Sequence, residues 1–155
     1  MSSQTQRPTG AAFLLAQLGA HAAERFAARI AHLGITPAHA GILRFIARIP
    51  GSNQQSLARF LGVLPSRMVL LIDQLAKRGL VERRRSTRDR RHSELVLTQK
   101  GKRTLAKLSK LAIAHEADLC GALTRDERET FARLGRKIVA HQGLTPDVHP
   151  GYRKL

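Results

Sequence analysis

The stretch from Val81 to Thr98, VERRRSTRDRRHSELVLT, constrains this chain more than any other. Arg83, Arg84, Arg85, Arg88, Arg90 and Arg91 crowd around one acid, Asp89, between two short segments with strand character. Guanidinium groups packed this densely repel one another unless a polyanion or counterions neutralise them. Immediately upstream, an amphipathic helix closes on Lys77-Arg78-Gly79-Leu80. A helix that runs straight into a cationic hairpin is the outline of a winged helix, and duplex DNA is the partner such a hairpin suits.

The charge balance points the same way. The 155 residues hold 27 Lys plus Arg against 11 Asp plus Glu, a formal net charge of +16. A field of that sign attracts phosphate backbones or anionic membranes. A membrane partner calls for a long uncharged apolar run, or for a basic amphipathic helix with aromatic anchors. Arginines interrupt every apolar stretch, and the chain has no Trp and one Tyr. No membrane partner is therefore expected. The opening MSSQTQRPTG lacks the charged-then-apolar order of a secretory signal, and a single Cys forms no internal disulfide. Both features fit a reducing cytoplasm.

The apolar periodicity predicts a mainly α fold. About six helices carry a short two- to three-stranded β-wing, with a hydrophobic content of 43% to fill the core. Leu15, Leu18, Ala22, Phe26, Ile30 and Leu33 recur at helical spacing, and Gly34 ends that helix. Thr36-Pro37 opens a second helix through Leu43 and Ile46, which Pro50-Gly51 breaks. Ser52 or Asn53 caps a short third helix that ends at Gly62; Pro65 or the residue before it starts a fourth, with Met68, Leu71, Ile72 and Leu75 as its buried stripe. The turn Gly62-Val63-Leu64 makes the pair a helix-turn-helix. Leu95 and Leu97 alternate with polar or outward neighbours as a strand. Thr98 caps a fifth helix with Leu105, Leu108, Ala112 and Leu119 on one side. Thr124 to Glu127 forms a capping box for a sixth, with Phe131, Leu134 and Ile138 facing inward. Residues 1–10 read as a frayed tail and 11–143 as one domain; the tail 144–155 has little to bury and is expected to be loosely held.

Three segments carry a family resemblance: LARFLGV at Leu57–Val63, IDQLAKRGLVERR at Ile72–Arg84 and DRRHSELVLTQKG at Asp89–Gly101. With the order of elements, they resemble the MarR family of bacterial transcription regulators over nearly the whole chain. The resemblance implies a homodimer built from helices in 11–34 and 98–143, with 36–97 as the winged helix-turn-helix lobe. Two such lobes would face a palindromic operator, with half-sites about 10 base pairs apart. It implies repression, with release by a small aromatic acid or by an oxidant.

A recognition helix presents its first residues to base edges in the major groove. Here these are Leu64, Pro65, Ser66 and Arg67. Arg67 suits bidentate readout of guanine, and Ser66 can donate to a base or a phosphate. Val69 and Leu70 are apolar where the family usually places polar or basic side chains. Either Leu70 packs on the domain and Val69 meets a thymine methyl, or base contacts are fewer and the wing and DNA shape count for more. In the wing, Asp89 and Arg91 match the family's Asp-x-Arg pair. The resemblance sends Arg91 into the minor groove with Asp89 as its brace; Arg84, Arg88 and Arg90 stand beside phosphates. Gln54 and Gln55, at the start of the third helix, either hold a phosphate there or solubilise the surface.

The resemblance also sets an effector cleft beside the first two helices. His21, Arg25 and His39 would meet a carboxylate, and Phe26 and Phe45 would wall the ring. The seven His show no i, i+4 pair with a nearby acid, so no metal and no cofactor are expected. Cys120 reads as a small buried residue, since the family's redox sensors carry theirs in the first helix. No nucleophile elbow, phosphate-cradling glycine loop or metalloprotease helix occurs, so no catalytic activity is expected. Two other readings use the same charge: a nucleoid or RNA-binding protein without sequence selectivity, and an effector-binding protein that has lost DNA recognition. At 4% aromatic, the chain has few rings for stacking RNA bases.

Overall fold

The computed structural model describes residues 10–86, 93–149 and 152. Local chemistry at the helix ends sets where each element begins. α1 (Ala11–Ile30) tightens into a 3₁₀ turn at Ala31–Leu33, and Gly34 closes it with a left-handed φ of 68°. α2 (Pro37–Arg48) starts at Thr36, whose hydroxyl accepts from the His39 amide while His39 Nδ1 accepts from the Thr36 amide at 3.2 Å. An imidazole thus fills the place that Glu or Gln usually takes in a capping box. α3 (Gln54–Leu61) is capped by Asn53, whose side-chain oxygen accepts from the Ser56 amide at 2.8 Å. α4 (Pro65–Lys77) begins without a side-chain cap, with Pro65 fixing the first turn.

Two antiparallel strands follow, β1 (Val81–Arg85) and β2 (Ser93–Leu97), with Val81 opposite Leu97 and Arg83 opposite Leu95. The sheet has two strands among the described residues, at the lower end of the expected number. The Leu95 amide also donates to the Ser52 carbonyl at 2.9 Å, which ties the approach to α3 to the edge of β2. α5 (Gln99–Leu119) is capped by Thr98, and α6 (Arg125–His141) by the predicted box of Thr124 and Glu127. Where α5 meets the sheet, a methyl on Gly101 would sit 2.1 Å from the Leu80 carbonyl oxygen, so only glycine fits.

The core lies under the helix-turn-helix. Ile42 and Leu43 of α2, Leu57 of α3, Met68, Ile72 and Leu75 of α4, and Leu95 of β2 are fully buried, and Leu71 nearly so. The α4 stripe is the one that the spacing predicts. Ile30 and Leu108 bring α1 and α5 onto the same cluster.

Three expectations need correction. Ala112 is exposed; the packed side of α5 runs instead through Leu108, Leu111 and His115, because α1 lies across that flank. Phe131, Leu134 and Ile138 do not face inward: they are 48%, 47% and 44% exposed, and Leu15 and Leu18 of α1 are similarly open. The segment after α6 is not loose in its described part. Val148 packs on the core, Asp147 pairs with Arg48 at 2.9 Å, and the Tyr152 hydroxyl donates to the Pro37 and Ala38 carbonyls at 3.3 and 3.1 Å. Tyr152 lies over Gly41, where any Cβ would strike its hydroxyl, and burial pushes its phenol pKa up to about 12.

Candidate nucleic-acid interface

The buried stripe of α4 leaves the opposite side of the helix to solvent. Leu64 is 68% exposed; Pro65, Ser66 and Arg67 in the first turn are exposed, as are Val69 at 40% and Leu70 at 51%. All six predicted recognition residues therefore share an open surface. Leu70 does not pack on the domain, which removes that explanation for an apolar residue there.

One guanidinium bridges β1 to this helix at the surface, above the buried Val81. Arg83 Nη2 donates to Asp73 Oδ1 of α4 at 2.7 Å and to Gln54 Oε1 of α3 at 3.1 Å. The partner of Asp73 is thus on the wing strand. Gln54, expected at a phosphate, spends its carbonyl oxygen on Arg83; its NH₂ group stays available to an anion. Gln55 beside it is exposed. Arg84 pairs with Glu82 on its own strand and stays 66% exposed. Arg85 is exposed at the strand's end. At the far end of the hairpin, Ser86 donates to Glu94 at 2.5 Å. Arg88, Asp89, Arg90 and Arg91, expected at the wing tip, lie outside the described residues.

Sequence reasoning missed the Arg83 clamp. Arg83 and Asp73 sit ten residues apart across a helix-to-strand turn, and no periodicity joins such positions. It missed Tyr152 too, although a glycine in mid-helix at position 41, where propensity disfavours it, was a usable sign of close approach.

The five residues expected at an effector cleft are not brought to one place. His39 is buried: its Nε2 bonds Gln74 Oε1 of α4 at 2.9 Å, and desolvation lowers its pKa below the ordinary histidine value. Phe45 turns toward α3, its ring 4.8 Å from that of Phe60. Phe26 meets the His115 ring of α5 at 5.4 Å, while His21 and Arg25 remain exposed on α1. An open groove of about 700 Å³ between the end of α5 and α6 has a polar lining that includes Glu116, Asp126 and Arg133, none of the expected residues. Cys120 is half-buried at the end of α5. Among the described residues, no three His, Cys, Asp or Glu side chains gather as metal ligands. No single helix there is long and apolar enough to cross a membrane.

This arrangement of helix-turn-helix, cationic strand and terminal helices has close relatives. A sequence profile of the MarR family matches residues 33–92. A Thauera aromatica protein assigned as transcriptional regulatory protein for the hcr operon is 33% identical over 113 residues, 73% of this chain and 68% of its own. The HTH-type transcriptional repressor Rv2887 of Mycobacterium tuberculosis is 30% identical over 127 residues, 81% of this chain and 91% of its own. The transcriptional repressor CouR bound to a 23-mer DNA duplex superposes with a TM-score of 0.74 at 36% identity, covering 84% of this chain and 92% of that one. CouR is also known bound to p-coumaroyl-CoA (TM-score 0.70, 34% identity, 84% of this chain and 91% of that one). Rv2887 is known bound to salicylic acid (TM-score 0.68, 26% identity, 85% and 98%). The chain belongs to the MarR family. It is a transcriptional regulator of that class.

Proposed function

We propose that the chain is a cytoplasmic repressor that grips a palindromic operator as a homodimer and lets go when a small aromatic acid binds. The observation that carries the reading is the open side of α4, from Leu64 to Leu70, set beside the exposed guanidiniums of β1. Arg67 reads a guanine; Ser66 donates to a base or a phosphate; Arg84 and the Gln54 and Gln55 amides hold backbone phosphates. Arg91, braced by Asp89, enters the minor groove, with Arg88 and Arg90 on the flanking phosphates. The exposed apolar sides of α1 and α6 close the dimer.

The effector belongs at the seam of α1 and α5. His115 Nδ1 is buried there with no hydrogen-bond partner, beside the Phe26 ring; on the same helix as Phe26, Arg25 supplies charge and His21 a polar ring. An aromatic carboxylic acid answers all of these needs: a ring for Phe26, a polar atom for the His115 imidazole and an anion for Arg25. Such an acid should release wild type, but not Arg25→Ala, from operator DNA.

Selection of bound fragments from random duplex DNA tests the whole reading. The expected outcome is a two-fold symmetric motif preferred over bulk DNA by at least about a thousandfold. If each protomer neutralises about four phosphates, log K should fall with log salt at a slope near −7. A slope shallower than about −3, with no motif, overturns the reading in favour of a weak, non-selective partner.

A further inference from the structure

We propose that this regulator reads thymine methyl groups through Val69 and Leu70, so that its half-site is fixed by apolar as much as by hydrogen-bonded contacts. The inference rests on the DNA-binding reading above and names the chemistry of its specificity.

The argument starts from solvent exposure. Val69 is 40% and Leu70 51% exposed on a helix whose core side is already filled by Met68, Leu71, Ile72 and Leu75. Helical spacing sets Val69 three and Leu70 four residues beyond Ser66, so each borders the base-reading first turn on one side and Asp73 on the other. Among the described residues, none covers either side chain fully. Their neighbours are cationic or committed: Arg67 is exposed on one flank, and Asp73 is held by Arg83. An apolar spot flanked by an exposed arginine on a chain of net charge +16 suits a polyanion that has something apolar within it. A second protein with an apolar patch would leave those guanidiniums without partners.

The major groove offers few such groups. Guanine, adenine and cytosine present donors and acceptors there; thymine adds a C5 methyl. A base edge of polar atoms set under Val69 or Leu70 would lose water and gain no hydrogen bond, which disfavours it. Thymine is then the base that these two positions select, next to the guanine read by Arg67.

Replacing single thymines of the selected operator by deoxyuridine tests this, since only the methyl is removed. Each methyl that Val69 or Leu70 covers should cost about fourfold in affinity. Deoxyuridine elsewhere in the site should change little. In Val69→Ala and Leu70→Ala, both helix-compatible changes at exposed positions, the penalty at the matching thymine should shrink to less than about twofold while the others persist. Cytosine at that position should bind poorly, and 5-methylcytosine should recover part of the loss. If every deoxyuridine is tolerated while operator preference and salt slope hold, the thymine inference fails and the DNA-binding reading stands. If no duplex is preferred at all, both fail.

Discussion

The winged lobe and the terminal helices treat their apolar residues in opposite ways. From α2 to β2, nearly every large apolar residue on an inward face is sealed, with Ile42, Leu43, Leu57 and Ile72 fully buried. α6 contributes no buried residue, and its Phe131, Leu134 and Ile138 stand roughly half open. At the start of α1, Phe13, Leu14, Leu15 and Leu18 do the same. The lobe has a core that takes in the end of α1 and part of α5; α6 and the first turns of α1 carry apolar stripes at core spacing with no core beneath them among the described residues. Stripes of that size on a solitary chain mark an association surface. The contrast teaches that amphipathic spacing reports that a face is covered without saying by what.

Substitutions can break that contrast from either side. Leu43→Ala removes a fully buried side chain, and a loss of about 2–5 kcal/mol is expected in denaturant melts. The double change Leu134→Asp with Ile138→Asp should leave the lobe folded, halve the mass in sedimentation and weaken operator binding about a hundredfold through lost bivalency. Retention of the dimer would show that α6 is covered by something else. Gly101→Ala forces a methyl into the Leu80 carbonyl and should cost about 1–3 kcal/mol, seen as a lower thermal midpoint. Tyr152→Phe deletes the hydroxyl that bonds the start of α2; about 1 kcal/mol is expected. That is a drop of roughly 2–4 °C for a chain of this size.

The smallest effect concerns pH. Burial, more than the opposing bond to Gln74, lowers the His39 pKa in the folded state. The unfolded chain therefore binds this proton more readily, so the stabilisation is complete above the unfolded value near 6.5 and is lost as pH falls through the folded value. The thermal midpoint should decline from pH 7 to 5. In His39→Gln, which keeps a side chain able to close the capping box, the decline should be shallower.

Much of this was legible in the sequence because it is local. Thr36, Thr98 and Thr124 cap helices through residues three positions away, and the α4 stripe follows from 3.6-residue periodicity alone. The choice between Ser52 and Asn53 needed the backbone, since both lie before the same helix. The expected faces of α5 and α6 failed where the answer depended on a neighbour: α1 selects Leu111 and His115 over Ala112, and nothing in the protomer claims Phe131. Within the site, the exposed positions of α4 were readable by subtraction from its buried ones. The separation of His39 and Phe45 from Phe26 was not, because α2 can turn any of three sides to its surroundings and spacing does not say which meets α3 or α4.

Arg83 has a mechanical consequence. By joining α3, α4 and β1 at one side chain, it adds an exposed ion pair and a hydrogen bond to the packing that sets the angle between α4 and the wing strand. In the proposed complex, a lobe braced in this way would meet an uneven operator less by bending within itself, and more of the accommodation would fall to swinging one whole lobe against the other.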